Sequence, residues 1–213
     1  AMFETRMLFN PQMKSAYNFV PGIMGLIFIL VCAMMTSVSI VREKEVGTME
    51  VLLVSPMRPT KVFFAKMIPY FVISCVVLII ILLLSYYLLH VPMSGGVWGI
   101  FSMSLLYVLL SLSLGLLVSI VVKTQVAALL LSGMVMMLPM LLLSGMLFPI
   151  ENFPKFFEVL SNVVPARWYI EGIRKMMIQG SPFVAVWKEF TILLGMTVLF
   201  FGMSLLKFND KLE

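Results

Sequence analysis

The sequence predicts an all-α membrane protein with five transmembrane helices, on the strength of two observations. The first is composition: 62% of the 213 residues are hydrophobic and only 12% are charged, whereas soluble domains are roughly half apolar and about a quarter charged. The second is that the apolar residues form five runs, each close to the roughly 20 residues that cross a bilayer as a helix. These runs are about 20–41, 67–89, 99–122, 126–148 and 186–206.

Helices explain the five runs better than barrel strands do. The first four runs contain no Asp, Glu, Lys or Arg, and the fifth carries only Lys188 and Glu189 at its leading edge. Backbone groups in lipid must bond internally, and barrel strands would be about half as long and alternating. The predicted transmembrane domain covers 20–207, with a lead-in at 1–19 and a tail at 208–213.

The number of spans leaves the orientation open. Five is odd, so the two termini lie on opposite sides of the membrane. Counting Lys and Arg on the two sides gives eight against seven, and such a balance does not orient the chain by the positive-inside rule.

Small residues and one proline predict how the helices pack. Ser111, Gly115 and Ser119 recur every four residues in the third run, a spacing that allows close helix approach, and Gly195 and Gly202 suggest the same for the fifth. Pro139 lies inside the fourth run, where it removes a helical hydrogen bond and predicts a kink. The kink could form a flexible wall of a substrate path or could be ordinary packing.

The sequence lacks the residues that several classes of function require. The sequence has no Gly-x-x-x-x-Gly-Lys-Ser/Thr phosphate loop, so we expect no ATP hydrolysis by that means. Cys32 and Cys75 lie in apolar runs as small hydrophobes, and the single His90 has no carboxylate neighbour in sequence, so we expect no metal site. The net charge of +5 suits anionic lipid, while scattered basic residues argue against nucleic acid.

The segment 42–58, between the first two runs, combines charge with an apolar stripe. On a helix, Val46, Met49 and Leu53 share one face, and Glu43 and Glu50 lie along its edge. Pro56 is expected to end this helix. A short helix of this kind suits the membrane interface or docking on a partner, and a solvated loop is equally compatible with the composition.

A second amphipathic segment occupies 149–182. Its apolar residues follow helical spacing and are Ala166, Tyr169, Ile170, Ile173, Met176 and Met177. Pro165 stands at the expected helix start, and Glu171 can pair with Arg174 or Lys175. The segment is too short and too charged to span, so we expect it to lie at the membrane surface or dip into it.

Four motifs, spread in order over essentially the whole chain, resemble the permeases of type-2 ABC exporters. They are Asn18-Phe19-Val20-Pro21-Gly22; Arg42-Glu43-Lys44-Glu45-x-Gly47-Thr48-x-Glu50-x-Leu52 with Ser55-Pro56; Ser144-Gly145-x-x-Phe148-Pro149; and Pro165-Ala166-Arg167-Trp168-Tyr169. The resemblance implies that the five spans are the last five of six, and that a first span and an extracellular domain precede them, as in multidrug-efflux-like members.

The resemblance also implies partners and an orientation. Residue 1 would be outside, 42–58 would hold a cytoplasmic coupling helix, 149–182 would be external and re-entrant, and the tail would be cytoplasmic. A separate ATPase subunit would bind ATP and Mg, so this chain would hold no cofactor and catalyse nothing alone. A second permease copy or paralogue and the lipid bilayer of a bacterial inner membrane complete the expected partners, and a periplasmic adaptor is left open.

Site residues follow from the same resemblance. The residues that would contact the ATPase are Glu43, Glu45, Gly47, Thr48, Glu50, Leu52, Ser55 and Pro56. An external gate would be built from Phe148, Pro149, Pro165, Arg167, Trp168 and Tyr169, although an interfacial anchor fits this segment equally well.

The expected function is ATP-driven export, by alternating access, of a hydrophobic or amphipathic substrate that is drug-like or lipid-like. The alternatives are an ion-coupled secondary drug carrier, an exporter of Na⁺ or polysaccharide within the same family, and a non-transporting scaffold. Ion coupling usually relies on intramembrane carboxylates, which the first four runs lack.

Overall fold

The computed structural model describes residues 15–47, 59–91, 95–147, 150 and 153–209. Within them we number seven helices in chain order. α1 is continuous over residues 15–46, α2 is Pro59–Tyr87, α3 is Val97–Val121 and α4 is Gln125–Leu143. Two shorter helices follow, α5 at Lys155–Ser161 and α6 at Pro165–Met177, and a 3₁₀ turn at Phe183–Val186 leads into α7 at Trp187–Asn209.

Five of these helices, α1 to α4 and α7, are long and apolar enough to cross a membrane. The predicted all-helical fold with five spans is therefore confirmed. α4 ends at Leu143, earlier than the predicted 148, because Gly145 takes a left-handed backbone conformation (φ 78°) that terminates the helix. Phe148 and Pro149 lie outside the described residues.

The bundle has two ends, which we name after residues that lie there. The Glu43 end holds the end of α1, the start of α2 and the turn from α3 to α4, since Glu43 pairs with Lys66 and Glu45 bonds Gln125. The Trp168 end holds α5, α6 and the starts of α3 and α7, where Gly95 N donates to Met176 O at 2.9 Å.

α3 is the central helix of the bundle. It contacts α1, α2, α4, α6 and α7, and nearly all of its residues from Met103 to Ile120 are buried. α2, α4 and α7 turn most of their surface outward. Their exposed large apolar side chains are mainly Leu, Ile and Val, as expected of helices facing lipid or another apolar surface.

Two spans contain a π-helical turn that the sequence analysis did not anticipate. One covers Ile29–Met34 of α1 and the other Leu131–Val135 of α4, and the two turns contact each other. The second lies directly before the turn that contains Pro139, whose ring would clash with the carbonyl four residues earlier in a regular helix. The wider turn accommodates the missing hydrogen bond, so Pro139 perturbs the helix locally.

α1 and α3 meet most closely at a glycine. A Cβ atom on Gly115 would lie 2.6 Å from the carbonyl oxygen of Ala33 and 3.0 Å from Cβ of Thr36. Ser111 and Ser119 are fully buried on the same helix and bond carbonyl oxygens within it. The expectation for Gly195 and Gly202 is wrong within this chain: a Cβ on either would meet nothing within 4 Å, because that side of α7 faces outward.

Candidate functional site

The Glu43 end is organised by the last turn of α1. The helix continues without interruption from the apolar span through Arg42 to Val46 and ends at Gly47, which is left-handed (φ 81°). A helix running unbroken across 42–58 is therefore wrong: left-handed backbone, which glycine adopts at low cost, stops it at Gly47. Val46 is two-thirds exposed at this end.

Three consecutive residues of that turn bind three other helices. Glu43 forms an ion pair with Lys66 of α2. Lys44 donates from Nζ to the backbone oxygen of Ser119, in the last turn of α3. Glu45 accepts two hydrogen bonds from Gln125, the first residue of α4, at 3.2 Å from the backbone N and 2.8 Å from Nε2.

The contacts suit the ends of helices. The carbonyl of Ser119 is among the last four of α3, which have no partner within their helix, and a lysine there also complements the negative end of the helix dipole. At the start of α4, Oγ1 of Thr124 accepts from the backbone N of Ala127 at 3.2 Å and caps the helix. α1 is thereby joined to α2, α3 and α4 at one level.

The remaining residues predicted for the coupling segment are not described. Thr48, Glu50, Leu52, Ser55 and Pro56 lie outside the described residues, so their contact with an ATPase stays a prediction. The sequence motif named Glu43, Lys44 and Glu45 but did not identify their partners Lys66, Ser119 and Gln125. These pairs are 23 to 80 residues apart in sequence, and no local pattern predicts such contacts.

At the Trp168 end, α6 packs inside the bundle. All six apolar residues predicted to share a face are buried, and Trp168 is buried with them at 8% exposure. The helix contacts α1, α3, α4 and α7. α6 therefore packs against four of the spanning helices, and its expected placement, at the membrane surface or dipping into it, stays a prediction.

Tyr169 is the deepest anchor of α6. Its ring stacks on Tyr107 of α3 with centroids 4.2 Å apart and 10° between the planes, and its hydroxyl lies 3.0 Å from Oγ of Ser104. Phe28 of α1 meets the same ring edge-to-face at 6.3 Å. Since Tyr107 stands ten residues along α3, α6 reaches well below the end of the bundle.

The other predicted gate residues fasten α6 to α5. Pro165 opens α6 at its first turn. Trp168 donates from Nε1 to the carbonyl of Asn162 at 3.0 Å, and Arg167 donates to Oγ of Ser161 and to the backbone oxygen of Glu158. The guanidinium of Arg167 also lies 5.2 Å from the centre of the Trp168 ring.

A charged cluster joins α6 to the start of α7. Lys175 donates to Glu171 at 2.8 Å and to Glu189 at 2.7 Å. The prediction that Glu171 pairs with Arg174 or Lys175 is resolved in favour of Lys175, while Arg174 donates to the carbonyl of Gly145 at 3.3 Å. Burial lowers the pKa of Lys175, but the two carboxylates outweigh it and the net shift is upward.

The same end contains a polar cavity of about 450 Å³. Its wall combines the end of α4 with α5 and α6, and the side chains that matter chemically are Ser144, Glu158, Arg167, Glu171, Arg174 and Lys175. Burial lowers the pKa of Arg174, partly offset by the charge of Glu171. In the described part of the chain, no three His, Cys, Asp or Glu side chains converge as a metal site would require.

The chain matches the model of a family described as "ABC-2 family transporter protein" over residues 1–206. It is 30% identical over 210 residues to the probable multidrug ABC transporter permease YbhS of Escherichia coli K12, covering 99% of this chain and 56% of that protein. YbhR of the same strain, also named a probable multidrug permease, is 28% identical over 89% of this chain and 51% of its own length.

A eukaryotic relative, ABC transporter G family member 20 of Dictyostelium discoideum, is 28% identical over 95% of this chain and 28% of its own. The chain thus spans about half the length of its bacterial relatives. No solved structure gives a significant match. Five apolar helices, the Glu-rich last turn of the first of them and a family match over nearly the whole length agree: the chain belongs to the ABC-2 family of transporter proteins.

Proposed function

We propose that this chain is the permease half of an ATP-driven exporter, and that a separate ATPase subunit moves its helices by pushing on the segment 42–58. The observation that carries the proposal is the set of bonds made by Glu43, Lys44 and Glu45, which tie the start of that segment to α2, α3 and α4. A force applied after Gly47 would reach four spans together instead of bending one loop.

The Trp168 end would then be external, and α6 would close the pathway there. Tyr169 and Trp168 fix α6 between α1, α3 and α5, so opening this end requires α6 to move as a unit. Rocking the spans from the Glu43 end would couple ATP binding to that movement, which is the alternating access expected of such permeases.

The proposed substrate is hydrophobic or amphipathic. Between the two ends, the buried polar groups of the described spans are hydroxyls, such as Thr36, Ser37, Ser74 and Ser132, with no charge to attract a strongly ionic cargo. The names of the two Escherichia coli relatives point to multidrug transport. A drug-like or lipid-like compound is the class that this interior favours over Na⁺ or a polysaccharide.

The partners follow from the same scheme. ATP and Mg would be bound by the ATPase subunit, which makes this chain the non-catalytic subunit of an ATP-hydrolysing translocase. A second copy or a paralogue would complete the pathway against the outward apolar faces of the spans, with a periplasmic adaptor as an optional partner. The setting is the bilayer of a bacterial inner membrane.

An ion-coupled carrier is the alternative that one observation favours. Glu189 is 2% exposed, and it lies at the start of a spanning helix. Oε1 of Glu189 is paired with Lys175, while Oε2 is buried without a hydrogen-bond partner. A coupling group must exchange its ion during each cycle, and the bound lysine opposes that exchange. An Asp or Glu inside the pathway would be needed, and the described parts of α1 to α4 have none between their ends.

Copurification tests the proposal directly. The full-length permease, tagged and extracted in mild detergent, should retain an ABC-type ATPase subunit, and candidate amphipathic compounds should stimulate ATP hydrolysis by that complex in liposomes. Transport that persists without ATP and depends on a proton or sodium gradient would instead support the carrier.

A further inference from the structure

The polar cavity at the Trp168 end is lined by two arginines that form no ion pair among the described residues, although Glu158 and Glu171 also line it. Lys175 is paired with Glu171 and Glu189, but neither Arg167 nor Arg174 forms an ion pair among the described residues. Glu158 also lines the cavity, is exposed, and approaches neither guanidinium within ion-pair distance. Two positive charges therefore face one cavity while bonded only to carbonyl and hydroxyl groups.

Donors in this cavity are also left unused. The Nε atoms of Arg167 and Arg174 are buried and have no hydrogen-bond partner, and the hydroxyl of Ser144 is in the same condition although that residue is only 2% exposed. A buried polar group without a partner costs roughly 1–3 kcal/mol. Three such groups around one cavity would gain from an acceptor bound there, and the two guanidinium groups favour an anionic one.

An apolar groove is lined by residues next in the chain to those of the polar cavity. It has a volume of about 450 Å³ and is lined by Leu138, Leu142 and Leu143 of α4 with Phe153 and Phe157. Two segments contribute to both spaces: Leu143 lines the groove and the next residue, Ser144, lines the cavity, while Phe157 lines the groove and Glu158 lines the cavity. Each wall passes from apolar to polar within one residue.

We propose that the cavity and groove together bind a phospholipid, with its phosphate between Arg167 and Arg174 and an acyl chain along the groove. The planar fork of arginine matches the oxygens of a phosphate. Trp187, which is 57% exposed, lies at the same end of the bundle, and exposed tryptophans are enriched where a membrane protein meets lipid headgroups. The bilayer supplies a molecule with both parts at high local concentration.

The occupied site would brace the external helices. The phosphate would connect α6 to the end of α4, across the contact that Arg174 already makes with Gly145, while the acyl chain would fill the space between α4 and Phe157 of α5. Binding and release of the lipid would therefore stiffen or loosen the helices that close this end. The closing of this end rests on the function proposed above, whereas lipid binding requires only the contacts of these residues.

The test uses the full-length protein, delipidated in a non-ionic detergent, with bound lipid counted by native mass spectrometry. Phosphatidylglycerol is the probe, diacylglycerol lacks the phosphate, and inorganic phosphate lacks the chains. We expect phosphatidylglycerol to bind at one molecule per chain, and the R167Q/R174Q variant to bind it at least about tenfold more weakly, since each lost charge-assisted bond is worth about a factor of ten.

Matched variants separate the parts of the site. Lys188→Gln removes a basic residue that also lies near Trp168 but does not line the cavity, and it should bind as the unmodified protein does. Ser144→Asp places a carboxylate where the phosphate would lie and should abolish binding. Leu142→Gln should weaken binding of the lipid but leave any binding of inorganic phosphate unchanged.

Three results would overturn the inference. Equal affinity for phosphatidylglycerol in R167Q/R174Q and in the unmodified protein would show that the two arginines do not bind the lipid. Diacylglycerol binding as tightly as phosphatidylglycerol would show that the phosphate contributes nothing to the affinity. If inorganic phosphate binds as tightly as the lipid and Leu142→Gln leaves lipid affinity unchanged, the cavity binds free phosphate and the groove takes no part.

Discussion

Gln125 bonds Glu45 through both its backbone N, at 3.2 Å, and its side-chain Nε2, at 2.8 Å, so that the first residue of α4 is fixed to the last turn of α1. This contact lies in exposed surroundings and is one of three that α1 makes at the same level. We therefore expect it to matter more for moving the helices together than for keeping them folded.

Gln125→Ala tests that expectation against Thr124→Ala. Loss of the exposed bond should lower the free energy of unfolding by less than about 1 kcal/mol, while ATP-driven transport falls several-fold. Thr124→Ala removes the cap of α4, bonded to Ala127, and should cost about 1 kcal/mol with little effect on transport. Transport that simply follows stability in the two variants would contradict a coupling role.

Gly115→Ala should separate α1 from α3. The added methyl group would overlap the backbone of Ala33, which cannot rotate away as a side chain could. We therefore expect the free energy of unfolding to fall by about 1–3 kcal/mol. Gly195→Ala is the matched control on a spanning helix, where the methyl group meets nothing and should leave stability unchanged or raise it by up to about 1 kcal/mol. Unfolding in a graded detergent–SDS series measures both, and equal effects would contradict the close approach.

Lys175→Met should destabilise the junction of α6 and α7, because it leaves the buried carboxylate of Glu189 unpaired. We expect a loss of about 1–3 kcal/mol, the cost of an unsatisfied buried group. Lys188→Met is the control, because it removes an exposed lysine next to Glu189. It should lower the free energy of unfolding by less than about 1 kcal/mol.

The Lys175 effect should also depend on pH. The pKa of Lys175 is raised in the folded chain, so its stabilisation is complete below the ordinary lysine pKa of about 10.4 and is lost as the pH rises through the higher, folded value. The unmodified protein and Lys175→Met should therefore differ fully near neutral pH and converge only in strong alkali. A difference that vanishes near pH 7 would exclude the ion pair as its cause.

Orientation can be measured with two exposed lysines. In a background lacking Cys32 and Cys75, Lys155→Cys at the Trp168 end should react with a membrane-impermeant thiol reagent in intact cells. Lys123→Cys, in the turn between α3 and α4, should react only after the membrane is opened. The reverse pattern would invert the chain and place the segment 42–58 outside, where no ATPase could reach it.

Much of this fold could be predicted because its determinants are local. A run of apolar residues is long enough to span or it is not, and the 3.6-residue period of α6 identified six side chains that are all buried. The pair Glu171–Lys175 follows from i,i+4 spacing. Such features need no knowledge of what lies opposite.

The contacts between distant segments could not be predicted in the same way. Glu189 is 14 residues from Lys175, and Ser119 is 75 from Lys44, so neither pairing follows from spacing. Gly195 and Gly202 show the converse, since small residues permit close packing but do not say whether a partner helix is present. The π-helical turns depend on how α1 and α4 pack together, which one-dimensional periodicity does not contain.

The central claim is that the ATPase drives the spans through the segment 42–58, and charge reversal in that segment tests it with the internal contacts preserved. Glu43→Lys alone would break the pair with Lys66, so it is combined with Lys66→Glu, which restores the pair in reverse. This double variant is the control for folding, and thermal unfolding should show it close to the unmodified protein.

The decisive measurement is substrate-stimulated ATP hydrolysis by the reconstituted complex in which Glu50→Lys is added to that double variant. The account predicts that stimulation is lost while the ATPase keeps its basal rate and the permease keeps its unfolding temperature. Stimulation equal to that of the unmodified complex would contradict it.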